Sequence, residues 1–128
     1  MSRTLPGLTF DTGALIALER RSARMGKVLF VAREQRVRIS IPAPAFTEWW
    51  RGPSRRREEL RECFDLEPLG EPVARLAGEA LAAVPRATLV DAVVMASASR
   101  RGDVVYTSDV NDLLALQVFF PGVRVLHT

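Results

Sequence analysis

Short apolar or β-branched runs alternate with helix-patterned stretches from one end of this chain to the other, and no other feature constrains its fold as much. Leu8-Thr9-Phe10-Asp11 reads as a strand ending in an acid, Thr12-Gly13 breaks it, and Ala14 to Leu18 opens a helix. Apolar residues at Met25, Val28, Leu29 and Ala32 mark one face of a helix over Arg24 to Gln35. Val37 to Ile41 alternates and is β-branched, which predicts a strand closed by Pro42 and Pro44. A helix follows from Pro44 through Trp50, stopped by Gly52-Pro53, and then a charged helix over Ser54 to Cys63 with Ser54 as its cap. After a short strand at Phe64 to Leu66 come helices over Glu71 to Val84 and Thr88 to Arg101. The pattern ends with a strand at Asp103 to Thr107, a helix at Asn111 to Phe119 and a strand at Val123 to Leu126. Strands separated by helices need crossovers, so the expectation is an α/β fold with a mainly parallel central sheet of about four or five strands flanked by helices.

With 128 residues, one domain over 1–128 is expected, because two halves would each be too small to bury a good core. No repeat or linker interrupts it, and the segment nearest to a boundary, Arg51 to Arg57, reads as a surface loop. The apolar runs, such as Ala43 to Phe46 and Leu113 to Leu116, fall far short of the roughly 20 residues of a membrane span. Met1 to Phe10 lacks the long apolar stretch of a signal peptide. Cys63 has no second cysteine to pair with, which fits a reducing, cytoplasmic setting. Basic residues number 18 against 15 acidic ones, and Lys27 is the only lysine. Arginine forks suit phosphate, so a nucleic-acid partner is permitted, although arginine-favouring codons account for the ratio equally well.

Most acids lie on charged helix faces, but Asp11, Glu48, Asp91 and Asp109 do not. Asp11 ends an apolar strand. Glu48 lies among Phe46, Trp49 and Trp50, Asp91 interrupts an apolar run, and Asp109 follows the strand Val104 to Thr107. Each has a structural explanation of its own. Asp11 and Asp109 are placed to cap helices, Asp91 falls in a first turn favoured by the helix dipole, and Glu48 is free to face water. Taken together, all four fall near the carboxyl edge of one sheet, where open α/β folds bind ligands. Gathered carboxylates repel one another, and a hard divalent cation, Mg²⁺ or Mn²⁺, relieves that repulsion. Such sites most often serve phosphoryl chemistry. A zinc cluster and a two-histidine ribonuclease are excluded, because His127 is the only histidine and Cys63 the only cysteine, and no Ser-His-Asp set is expected around His127, which stands alone at the tail.

The segment Leu8 to Leu15 resembles the opening motif of PIN-domain nucleases. The order of acids resembles them too: Asp11, Glu48, Asp91 opening Asp-Ala-Val-Val-Met-Ala, and Thr107-Ser108-Asp109-Val110-Asn111-Asp112-Leu113. Over its full length the chain is similar to the toxin of a VapBC toxin–antitoxin pair. The resemblance implies a PIN-like fold and a magnesium-dependent endoribonuclease that cleaves RNA with metal-activated water. It implies that Asp11, Glu48, Asp91 and Asp109 hold the metal, with Asp112 as an outer acid. Thr12 and Thr107 or Ser108 would supply orienting hydroxyls. It further implies a homodimer and a small VapB-type antitoxin as partner. Between Glu48 and Asp91 there is no motif to compare.

Arg51, Arg55, Arg56 and Arg57 follow Glu48, with Trp49 and Trp50 before them. Guanidinium and aromatic groups together suit single-stranded RNA. Equally, one Trp belongs to the core and the arginines pair with Glu58, Glu59 and Glu62. Two competing readings remain. A receiver-like signalling domain needs a lysine after a late strand, and Lys27 lies in an early helix. A PIN-like module that binds RNA or assembles without cleaving it has no need of all four acids.

Overall fold

In the computed structural model, which describes residues 5–128, the chain runs strand-to-helix without long loops. Strand β1 (Leu8–Phe10) passes through Asp11 directly into α1 (Thr12–Glu19), and α2 (Ala23–Glu34) leads to β2 (Ile39–Pro42). Next come α3 (Ala43–Trp49), α4 (Arg55–Arg61), β3 (Asp65–Glu67), α5 (Glu71–Ala83) and α6 (Leu89–Arg101). Strand β4 (Val104–Thr107), α7 (Val110–Leu116) and β5 (Val125–His127) complete the chain. Residues 1–4, part of the segment read for a signal peptide, lie outside the described residues.

The five strands form one sheet in the order β3-β2-β1-β4-β5, and every pairing is parallel. The chain winds outward from β1 to β3 and then crosses back to place β4 on the other side of β1. The ends of β1 and β4 therefore form the topological switch point, the usual ligand crevice of such sheets. Helix α6 is apolar nearly all round, with Ala92 through Ala98 buried, so it serves as the central core helix. Its contacts run to α5 on one side and to β1, β2 and β4 on the other.

Several element boundaries differ by one to three residues from those the sequence predicts. The strand ends before Thr12-Gly13, but α1 starts at Thr12 and not at Ala14, because the Asp11 carboxylate caps it by accepting the Ala14 N–H at 2.9 Å. Arg55 to Arg57 open α4 under the Ser54 cap, as predicted for the charged helix, so the surface loop read over Arg51 to Arg57 stops before them. Strand β3 lies one residue later than expected. Phe64 drops into the core edge-on to Phe10, while Arg38 bridges Asp65 and Glu67 at 2.6 and 3.0 Å on the outside. Strand β5 is shifted in the same direction, because the Val123 carbonyl is taken by the Gln117 amide at 2.7 Å. That shift pairs His127 with Thr107 at the carboxyl edge.

Candidate metal centre

All the singled-out acids stand at the carboxyl edge of the sheet. Asp11 follows β1, Glu48 lies on α3 after β2, and Asp109 and Asp112 flank the start of α7 after β4. Helix α6 leads into parallel strand β4 and so runs against the strand direction, which brings its first turn, with Asp91, to the same edge. Close approach of the backbones tightens this arrangement. A Cβ on Gly13 would sit 2.8 Å from both the Cβ and the Oγ of Ser108, so only glycine lets α1 lie against the turn after β4.

Asp11 is buried, at 3% exposure, and makes two hydrogen bonds. One is the cap to Ala14; the other comes from the hydroxyl of buried Thr107. The same hydroxyl accepts the Asp109 N–H at 2.8 Å, so Thr107 ties the two acids together. Burial raises the Asp11 pKa to about 6. The Thr107 and Ala14 hydrogen bonds oppose that shift, while the charges of Asp91 and Asp109 add to it. Asp91 is also raised, first by burial, against the Thr88 hydrogen bond, and further by Asp112, Asp109 and Glu48. The acids therefore sense one another's charge, as a cluster must.

None of these acids forms an ion pair with Lys, Arg or His among the described residues. The capping explanations divide. Asp11 does cap α1, whereas Asp109 stands at the cap position of α7 and makes no capping bond. Thr88 caps α6 by accepting the Asp91 N–H, leaving the Asp91 carboxylate in the first turn. Glu48 is exposed and accepts the Thr12 hydroxyl at 2.9 Å. The Ser108 hydroxyl faces Thr128 at 3.0 Å instead of an acid.

Oxygen donors short of positive charge fit a hard divalent cation. No three Asp, Glu, His or Cys side chains among the described residues are arranged to hold an ion by themselves. Mg²⁺ keeps several of its waters and needs only one or two protein carboxylates, so the acids present here are compatible with it. Two hollows flank the cluster and divide its acids. One, of ≈ 320 Å³, is lined by Asp109, Asp112, Asn111, Ser108 and His127. The other, of ≈ 170 Å³, contains Glu48. Nothing in the sequence shows that His127 reaches this edge, because its place depends on the register of β5.

The arginines after Glu48 separate into different roles. Arg57 grips Glu19 through two bonds, at 2.7 and 3.2 Å, and also donates to the Gly52 carbonyl. Arg56 donates to the Leu18 carbonyl at 3.0 Å, so both residues clamp α4 onto the end of α1. Arg55 pairs with Glu59 along α4. Arg51 makes only a long bond, 3.4 Å, to the Glu48 carbonyl. Trp49 is core at 2% exposure, and Trp50 stacks on Phe46. Lys27 lies on α2 beside an apolar hollow that contains none of the acids.

Sequence reasoning missed one buried acid altogether. Asp103, at the start of β4, is 7% exposed. It pairs with Arg101 at 2.8 Å and accepts the Thr9 hydroxyl at 2.8 Å. Arg101 also reaches Thr9 and Ser97. An Asp just before a strand and two residues after an Arg is a faint signal in the sequence.

No family model and no curated protein matches the sequence. Solved structures do match. A DNA-bound VapBC complex from Salmonella typhimurium contains a chain with TM-score 0.73 and 15% identity, covering 96% of this chain and 98% of that one. A VapBC complex from Rickettsia felis, bound to a promoter DNA fragment, gives 0.75 at 9% identity, covering 94% and 98%. The fold is PIN-like. A toxin–antitoxin complex from Klebsiella pneumoniae shares this PIN-like fold at TM-score 0.70 and 19% identity, over 94% of this chain and 96% of that one. In the PIN-like fold observed here no described helix is long and apolar enough to cross a membrane.

Proposed function

We infer that this protein is a metal-dependent endoribonuclease, the VapC-type toxin of a toxin–antitoxin pair. RNA is its substrate and a small VapB-type antitoxin its partner. The same reading includes Mg²⁺ or Mn²⁺ as cofactor, a homodimer and a cytoplasmic setting. One observation carries it: Asp11 is buried at the switch point with no cationic partner among the described residues, and burial, reinforced by the charges of Asp91 and Asp109, raises its pKa to about 6. A structural carboxylate in such a place is normally paired. The PIN-like fold shared with chains from VapBC complexes supports the toxin part of the reading.

A divalent ion held there would supply charge compensation on the phosphate oxygens and activation of water. The chain's own residues prepare the place for it. Thr107 fixes the Asp11 carboxylate and, through its backbone bond, the start of α7 that carries Asp109 and Asp112. Thr12 holds the Glu48 carboxylate toward the same edge. Asp91 stands in the first turn of α6, where the helix dipole favours a carboxylate, although burial raises its pKa. No nucleophilic side chain or histidine pair is needed.

The test is cleavage of a mixed RNA pool with Mg²⁺ or Mn²⁺ and with EDTA. Metal-dependent loss of RNA supports the reading; its absence with folded wild-type protein and either metal overturns it. Growth arrest on expression in bacteria, relieved by Glu48→Gln, tests the toxin assignment separately.

A further inference from the structure

We propose that Arg20 and Arg51 form a subsite for one backbone phosphate of single-stranded RNA, beside the acids on the β2 side and apart from the scissile position. It depends on the nuclease reading only for its choice of ligand. The hollow that contains Glu48 is lined by Glu19, Arg20, Trp49, Arg51 and Arg57 as well. Its volume of ≈ 170 Å³ exceeds the roughly 30 Å³ share of one water several times over, which leaves room for an oxyanion.

The charges in this hollow are arranged unevenly. Arg57 and Glu19 neutralise each other through two bonds, so that pair forms a fixed wall. Glu48 takes its hydrogen bond from Thr12 and pairs with none of the arginines. Arg20 forms no ion pair among the described residues, and Arg51 spends one N–H on a long bond to a carbonyl. Two forked, always-charged donors are therefore left facing an acid they do not engage. A guanidinium fork matches phosphate oxygens in pairs of hydrogen bonds.

Position supports a phosphate of the substrate. Arg20 ends α1 and Arg51 follows α3, and each of these helices leaves the carboxyl edge carrying an acid at its other end or along it, Asp11 and Glu48. The hollow with Asp109 and Asp112 lies across β1 on the β4 side. An RNA strand crossing the acids between the two hollows enters or leaves past Arg20 and Arg51. Cleavage then favours RNA that extends at least one phosphate beyond the scissile one on that side.

The experiment measures affinity for a short single-stranded oligoribonucleotide across a salt series, in an Asp11→Asn background so that turnover does not consume it. Arg20→Gln with Arg51→Gln should weaken binding roughly tenfold. It should flatten the slope of log K against log salt by about 0.7, the share of one phosphate. Both side chains are exposed, so folding is not at risk. Arg100→Gln with Arg124→Gln, from the opposite edge, removes the same charge and serves as control. Equal slope changes in the two double variants mean a general charge effect and overturn the subsite. A change of about 1.4 means two separate phosphates and overturns a shared one. An unchanged affinity overturns the proposal outright. Wild-type cleavage is scored separately: a chain that cleaves but shows no Arg20/Arg51 effect loses only the subsite, and one that shows the effect but never cleaves loses only the nuclease reading.

Discussion

Two buried aspartates sit at opposite ends of the same pair of central strands, and they are treated in opposite ways. Asp103, where β4 begins, has Arg101 at 2.8 Å and a hydroxyl from Thr9. Asp11, where β1 ends, has a hydroxyl and one backbone N–H but no cation among the described residues, and other acids stand nearby. A glycine permits close packing at each end: a Cβ on Gly7 would meet Asp103 Oδ1 at 2.5 Å, and one on Gly13, two residues after Asp11, would meet Ser108. Burial alone therefore does not mark a functional acid. What separates the two ends is whether the fold delivers a counter-charge.

The largest effect should come from swapping the consequences of loss at the two ends. Asp11→Asn keeps the cap, since Asn caps as well as Asp, yet should lower RNA cleavage by on the order of a thousandfold. Its urea midpoint in EDTA should not fall. Arg101→Met strands Asp103 without its partner and should cost about 3 kcal/mol of stability, with cleavage per folded molecule retained. Marked destabilisation by Asp11→Asn would erase the contrast and return Asp11 to a purely structural role.

A pH series sharpens the same contrast. The folded pKa of Asp11, about 6, lies above its ordinary 3.8, so the folded protein binds this proton more tightly than the unfolded chain does. The associated stability is fully present below about pH 4 and is lost as pH rises through about 6, amounting to roughly 2–3 kcal/mol. Denaturation of the metal-free protein at several pH values should show this loss in wild type and not in Asp11→Asn. Added Mg²⁺ should restore stability above pH 6 by mass action, again only in wild type.

A smaller pair of changes tests the hydroxyls. Thr107→Val removes the donor to Asp11 and the acceptor for the Asp109 N–H, and should weaken metal binding about tenfold by calorimetry. Thr9→Val should leave metal binding alone and cost about 1–2 kcal/mol in unfolding. Equal effects of both on metal affinity would mean that the two ends are coupled through the sheet.

The alternation of strands and helices, the five strands and the carboxyl-edge placement of Asp11, Glu48, Asp91 and Asp109 were all legible in the sequence. They depend on local periodicity and on the rule that helices return antiparallel to parallel strands. Asp11 was ambiguous there between cap and ligand, and the structure shows why: the same carboxylate caps α1 and joins the acid cluster. Arg55, Arg56 and Arg57 looked alike as a run of three, but they end on Glu59, Leu18 and Glu19 respectively.

The sequence by itself determined which segments are strands and helices and which acids stand at strand ends, because those properties are written in neighbours a few positions apart. Only the tertiary structure decided that Asp103 is neutralised, that Arg57 is a strut, that Arg20 and Arg51 share a hollow with Glu48, and that His127 reaches the acidic edge. Each of these depends on strand register or helix packing between residues far apart in the chain. A charged side chain has no fixed role until folding settles which partner, if any, comes within a few ångströms of it.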